Sequence, residues 1–214
     1  MLKNISAIIV SENNSSTLVK CIDSVCSSTL KPIRIVIVDN DSKDGSYELL
    51  CKLLGAVPIE VNGQTGLPPE YTGRYNDVEL TIVRKRYTSL SHSRNIGLKF
   101  CPQQTNYIAF VNPRSMWGND KIEKSIVALD GGIEIGSVVS DFYVGDDRVF
   151  VKPFKYRLLQ EKAISYDDNF VLKAQILNMM NRGFNPDCDH NEFLLRASEV
   201  GMIYNIPEAL YHYG

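Results

Sequence analysis

The 214-residue chain is 44% apolar and 22% charged with a formal net charge of −2, ordinary figures for a soluble protein with room for one large domain. That balance gives no global reason to expect nucleic acid or an anionic membrane as partner. The five cysteines are odd in number and include no C-x-x-C pair, which fits reduced thiols in a cytoplasmic protein. No run approaches membrane-spanning length, and the first residues lack a secretory signal.

Residues 6–10 read as a short apolar strand ending in Ser11, Glu12, Asn13 and Asn14. Ser15 or Ser16 is placed to cap a helix whose apolar face is Leu18, Cys21, Ile22 and Val25, at i, i+3, i+4, i+7 spacing. Ile33 and residues 35–38 form an almost unbroken β-branched run, as suits a strand buried on both faces of a parallel sheet. The run stops abruptly in Asp39, Asn40, Asp41 and Ser42, and Leu49, Leu50, Leu53 and Leu54 then follow helical spacing. Two βα units this early predict an α/β sheet, in which ligands collect beyond the carboxyl ends of the strands.

Residues 55–77 hold Gly55, Gly63, Gly66, Gly73, Pro58, Pro68 and Pro69 with little periodicity, and read as a long loop or flap on that edge. Residues 80–83 form a third strand, with Arg84, Lys85 and Arg86 as its solvated end. A Ser-rich cap opens a helix over 91–100 that carries Arg94 and Asn95 in its first turns. Residues 107–111 are a fourth strand stopping in Asn112, Pro113, Arg114 and Ser115, followed by Trp117 and a helix over about 120–129. Further on, 138–144 and 149–151 flank Gly145-Asp146-Asp147 as a hairpin. Residues 170–181 and 192–200 read as helices and 203–206 as a last short strand. Residues 1–130 thus make a nucleotide-fold-like half, and 131–214 a mixed half suited to a second substrate.

The order of motifs resembles glycosyltransferase family 2, the inverting enzymes of GT-A fold. SAIIVSENNSSTLVKCIDSV and KPIRIVIVDNDSKDGS are similar to that family's opening strand, helix and V-D-D-G-S-x-D-G-T strand end. SHSRNIGL resembles its A-R-N-x-G, and YIAFVNPRSMW stands where Y-I-A-F-L-D-x-D-D-x-W is usual. RGFNPD and NEFLLRASEVGMIYNIPEALYHY are similar to its closing segments. The resemblance implies a single GT-A domain: a Rossmann-like mixed sheet flanked by helices, with a smaller acceptor-side region.

It also implies an activity, transfer of a hexosyl or pentosyl unit from a nucleotide-sugar, UDP-linked, with inversion. Ser11, Glu12 and Asn13 occupy the first strand's nucleoside-binding end, with Glu12 in place of the usual Tyr. Asp39 is the carboxylate that accepts a nucleobase or ribose hydrogen bond, with Asp41 beside it. Arg94 would reach the nucleotide phosphates. The departure is Asn112-Pro113-Arg114, where the family has the Asp-x-Asp that helps hold Mn²⁺ or Mg²⁺. An amide and a cation suit no divalent metal, so no metal ligand is assigned. Either Arg114 takes over the charge neutralisation, or the site has lost catalysis and only binds, or binds nothing. The base that takes the acceptor's proton belongs to Asp189, His190 or Glu192, ranked with Asp189 first. His212 lies near where some relatives place a metal- or phosphate-contacting residue. The acceptor is unspecified: a glycan, lipid, protein or modified nucleic acid, the last admitted by Arg84–Arg86 with Lys152, Lys155 and Arg157. The competing reading is a non-catalytic GT-A module that binds nucleotide-sugar or a partner protein.

Overall fold

A computed structural model describes residues 3–57, 59–61, 64–86, 89–149, 169–180 and 190–214, with backbone alone for 59–61, 64–65 and 190–192. In chain order the elements are β1 (Ile5–Ser11), α1 (Leu18–Cys26), β2 (Arg34–Asp39), α2 (Ser46–Leu54), β3 (Ile59–Val61) and β4 (Gln64–Gly66). Next come β5 (Glu70–Tyr75), β6 (Val78–Arg84), α3 (Leu90–Lys99), β7 (Tyr107–Val111), β8 (Ser115–Trp117) and α4 (Lys121–Asp130). The last are β9 (Ile135–Val144), β10 (Asp147–Val149), β11 (Phe170–Lys173), α5 (Ala174–Met179), α6 (His190–Val200) and β12 (Met202–Tyr213).

One 10-stranded sheet runs β5-β6-β2-β1-β7-β11-β9-β12-β8, with β10 paired to β9. Its centre, β6-β2-β1-β7, is parallel, so four carboxyl ends share one edge. Strand β9 points the same way, because β11 is antiparallel to both β7 and β9. The β-branched run of β2 is buried on both faces, as its composition predicts. Ile35 and Ile37 face a core with Leu18, Ile22, Leu50 and Ile126, while Val36 and Val38 face another with Phe110, Phe170 and Leu194. Helices α1, α2 and α4 thus cover one face and α3, α5 and α6 the other. The α3 face is held close by Gly97: a Cβ there would lie 2.6 Å from Cγ2 of Ile8 on β1.

Several expected elements are corrected. Half of the expected flap at 55–77 is strand: β3 and β4 form a hairpin, and β5 adds antiparallel to β6 as an edge strand. The expected helix over 170–181 opens instead as β11, whose Phe170 pairs with Phe110, and turns helical only at Ala174. The last strand is 12 residues long; register shifts between Ile206 and Ala209 let it continue through Pro207, which cannot donate to a ladder. Neither Ser15 nor Ser16 caps α1. The N-cap is Thr17, without a side-chain bond, and the Ser15 N–H donates instead to the Asp44 carboxylate at 2.8 Å. In α3 the serine cap does form, Ser89 accepting from the His92 N–H at 3.1 Å. The expected hairpin turns at Gly145, in left-handed backbone at φ 58°, but its return strand begins at Asp147, with 150–151 outside the described residues. Among the described residues no helix is long and apolar enough to cross a membrane.

Candidate functional site

In-register pairing of the parallel strands sets Ser11 beside Asp39 and Asp39 beside Arg84, one row across three carboxyl ends. On the other side of β1, Ile9 pairs with Val111, so Asn112 and the residues after it emerge one strand from Ser11. Seven of the residues singled out in the sequence therefore reach one edge: Ser11, Glu12, Asn13, Asp39, Asp41, Asn112 and Arg114.

The loops after β1 and β2 are laced together. Asn13 at φ 54° and Asp41 at φ 57° take left-handed backbone, which Asn and Asp tolerate best among residues with a Cβ. The Asn13 N–H donates to Ser42 Oγ at 2.9 Å, and its side-chain oxygen accepts from the Lys43 N–H at 2.8 Å. Above them Asn40 donates to the Glu12 carboxylate at 2.7 Å, linking the two strand ends. Asp44 is a tie as well. Desolvation opposes its charged form, but hydrogen bonds from Ser46 and Ser15 hold its carboxyl well below the usual range. In Asp41 the hydrogen bond from Lys43 lowers the pKa.

Asp39 is fully buried. One oxygen accepts from the Ser42 N–H at 3.1 Å and lies 3.7 Å from Nε of Arg84, while the other, Oδ1, has no hydrogen-bond partner among the described residues. Burial raises its pKa, against the lowering pull of the Ser42 hydrogen bonds and Arg84. A buried acceptor left unsatisfied costs about 1–3 kcal/mol.

Arg84 is not the solvated strand end that composition suggests. Its guanidinium stacks on the buried Tyr47 ring, donates to the Ser42 carbonyl at 3.0 Å, and faces Asp39, Asp41 and Glu48 within 3.4–3.7 Å. It neutralises part of an acidic rim. The signal that could have found it was its rank: it closes its strand as Asp39 closes β2.

At the end of β7, Asn112 closes an Asx turn, its side-chain oxygen accepting from the Arg114 N–H at 2.9 Å. Asn169, 1% exposed, holds this turn from below. Its carboxamide oxygen accepts from the Asn112 N–H at 3.1 Å and from the Trp117 indole N–H at 2.8 Å, and its nitrogen donates to Ser115 Oγ at 2.8 Å. Nothing local in the sequence marks Asn169. The Arg114 side chain is exposed, while its carbonyl accepts from the Gly214 N–H at 3.1 Å. Asn112 has one lone pair engaged by the turn and a cation stands two residues on, so this pair offers no anionic oxygen and is a poor fit to a divalent metal. Among the described residues no group of three His, Cys, Asp or Glu converges to hold one.

Arg94 is buried on the α3 face, its guanidinium 5.3 Å and 5.7 Å from the ring centroids of Phe110 and Phe170. It borders Asn112 and Pro113 across a cavity of about 30 Å³. On the far side, Lys121 is buried between the Trp117 and Tyr211 rings and donates to Ser140 at 2.8 Å. His212 stacks on Tyr143 at 4.9 Å. Asp189 lies outside the described residues, as do the side chains of His190 and Glu192 at the start of α6. So do Lys152, Lys155 and Arg157.

The sequence profile of glycosyl transferase family 2 matches residues 6–185. A glycosyltransferase of Streptococcus pneumoniae serotype 4, GlyA, is 28% identical over 139 residues, which are 64% of this chain and 17% of that protein. Among solved structures, S. aureus TarS 1–349 superposes with a TM-score of 0.71 at 12% identity, covering 98% of this chain and 60% of that one. The mannosyltransferase PcManGT from Pyrobaculum calidifontis, in complex with GDP-Man and Mn²⁺, gives 0.69 at 15% identity, covering 98% and 56%. Glucosyl-3-phosphoglycerate synthase from Mycobacterium tuberculosis gives 0.65 at 11%, covering 100% and 72%. The fold is that of the GT-A glycosyltransferases. With its profile match spanning most of the sequence, the chain belongs to glycosyl transferase family 2. It spans 60% of the TarS fragment and 17% of GlyA.

Proposed function

We propose that the chain transfers a sugar from a UDP-sugar to an acceptor hydroxyl, with inversion and without a divalent cation. The observation that carries this is the pairing of two features on one edge. Asp39 offers a buried carboxylate oxygen with no partner among the described residues, and the end of β7, two strands away across β1, presents the exposed Arg114 on a braced turn. The first suits a nucleobase N–H and the second a pyrophosphate, whose charge a guanidinium matches. TarS has been crystallised with UDP and with UDP-GlcNAc, which supports the donor class. Residues 1–130 would hold the donor and 131–214 the acceptor.

In the transfer, the acceptor oxygen attacks the anomeric carbon as the bond from that carbon to the phosphate oxygen breaks. Its proton passes to a base among Asp189, His190 and Glu192, with Asp189 ranked first. The nucleoside diphosphate leaves with the bonding electrons, its charge met by Arg114.

The test is calorimetric titration with UDP, with and without Mn²⁺. Binding should be indifferent to Mn²⁺ and weaken roughly tenfold or more in Arg114→Ala. Release of UDP from a UDP-sugar should disappear in Asp189→Ala. Strict dependence on Mn²⁺ would refute the role given to Arg114. One observation favours the non-catalytic module: Asn112 commits its side chain to its own turn. Nucleotide binding without turnover under any metal condition would decide for that reading.

A further inference from the structure

We infer that Asn169 is the positioning residue of the arginine turn: it fixes the backbone that aims Arg114 at the donor pyrophosphate. The inference rests on the role just proposed for Arg114 and names what makes that role possible. A mobile arginine loses side-chain and backbone freedom when it binds an anion, whereas one on a pre-set turn loses less. Asn112 supplies the inner brace by accepting the Arg114 N–H, but it does so only if its own backbone is held.

Asn169 supplies that hold. Its single carboxamide joins three points of the segment: the Asn112 N–H at the turn's start, Ser115 Oγ just after Arg114, and the Trp117 indole two residues further. The turn is thus clamped on both sides of Arg114 by one buried side chain from β11's amino-terminal end, remote in sequence. Burial makes the clamp strict, since a partner left unpaired there keeps its desolvation penalty. Trp117 is fixed in turn between β12 and Lys121, whose ammonium lies 4.8 Å from the indole centroid. An Asp in place of Asn169 keeps the shape and still accepts both N–H groups, and the Ser115 hydroxyl can rotate to donate. A Leu keeps the bulk and removes every bond.

The chain has one tryptophan, so its indole N–H is a single proton resonance that reports the clamp without any ligand. In Asn169→Leu that signal should move upfield and exchange faster, and in Asn169→Asp it should stay near its native position. UDP affinity should fall roughly tenfold in Asn169→Leu, be largely rescued in Asn169→Asp, and change little when Asn169→Leu is added to Arg114→Ala, as expected of residues that act as one unit. Equal losses in the native and Arg114→Ala backgrounds would overturn the inference, as would an unmoved indole signal. If the Leu variant does not fold, Ser115→Ala removes one arm of the clamp and is held to the same two-background comparison. Failure of the native chain to bind UDP would instead count against the proposed function, with the indole signal still testing the clamp.

Discussion

Arg84 sits over Tyr47, its guanidinium carbon 4.7 Å from the ring centroid, with Asp39, Asp41 and Glu48 around it. Tyr47 is almost wholly buried, so the cation rests on a rigid apolar floor while its edge meets three carboxylates. Arg84 is thus one of the groups acting on Asp39, after burial and the Ser42 hydrogen bonds.

The first consequence is a pH dependence centred on Asp39. Burial raises its pKa in the folded chain. The fold therefore favours the neutral acid: that stabilisation is complete below the ordinary carboxylate value of about 3.9 and is lost as pH rises through the folded value. Nucleotide binding should run the other way, because only the ionised form is a charged acceptor. UDP titrations from about pH 4 to about pH 7 should show affinity rising across the interval in which that stabilisation fades. Asp39→Asn should flatten both profiles, and a profile unchanged in that variant would exclude Asp39 as the group responsible.

Removing the cation should push the same transition upward. In Arg84→Met, Asp39 loses its counter-charge while Asp41 and Glu48 remain, so the midpoint of UDP binding should move to higher pH. The cost in stability should be modest, about 1 kcal/mol, because Arg84 is itself part-exposed and Asp39, left without its counter-charge, can take up a proton. Identical midpoints in native and variant chains would show that Arg84 leaves the carboxylate untouched.

Placing two carboxylates at the arginine turn should create metal use. In Asn112→Asp/Arg114→Asp, two anionic oxygens replace an amide and a cation on the same braced turn. Mn²⁺ should then strengthen UDP binding by about tenfold or more, as a cation bridging carboxylate and pyrophosphate would. The native chain should gain nothing from the ion. A variant as indifferent to Mn²⁺ as its parent would mean that the turn cannot present two ligands together.

Gly97 offers a test of the packing that supports the edge. A methyl group there meets the stiff Cγ2 of Ile8 at 2.6 Å, on the strand that ends in Ser11. Gly97→Ala should cost about 1–3 kcal/mol, or about 2–4 °C in Tm per kcal/mol for a chain of this size. Thermal melts read the effect directly, and a Tm equal to that of the native chain would mean that β1 and α3 move apart freely.

The central strands were legible because their composition has one explanation. A β-branched run buried on both faces, closing in polar residues, belongs in the middle of a parallel sheet, and β1, β2 and β7 fall where their apolar runs predict. Edge elements gave weaker signals. β5 alternates exposed and half-buried residues among glycines and prolines, so it reads as loop. β11 offers only four residues, too few to outweigh the helical pattern that follows. Pro207 looks like a stop, and only bulges that depend on β9 let β12 pass it. The site divides the same way. Asp39, Asn112 and Arg114 were visible as abrupt strand ends, whereas Arg84 gained meaning only through its pairing with Asp39. Asn169 lies far from the turn in sequence, and only the fold brings its carboxamide beneath it.

The register of the far edge also constrains how the site comes to exist in time. Among the described residues β8 joins the sheet through β12, Ser115 opposite Tyr213 and Trp117 opposite Tyr211, and these partners are separated by most of the second half of the chain. Closing so long a loop is slow, and contacts between distant segments tend to form late. The central parallel strands all lie before residue 112 and can assemble without the rest of the chain, but the ladder that flanks Arg114 waits for the final strand to dock. In refolding experiments the tryptophan signal should therefore follow the slowest phase, after the bulk of the secondary structure has formed. A chain caught before that phase would carry Ser11 and Asp39 in place at the ends of β1 and β2, with its arginine turn not yet set.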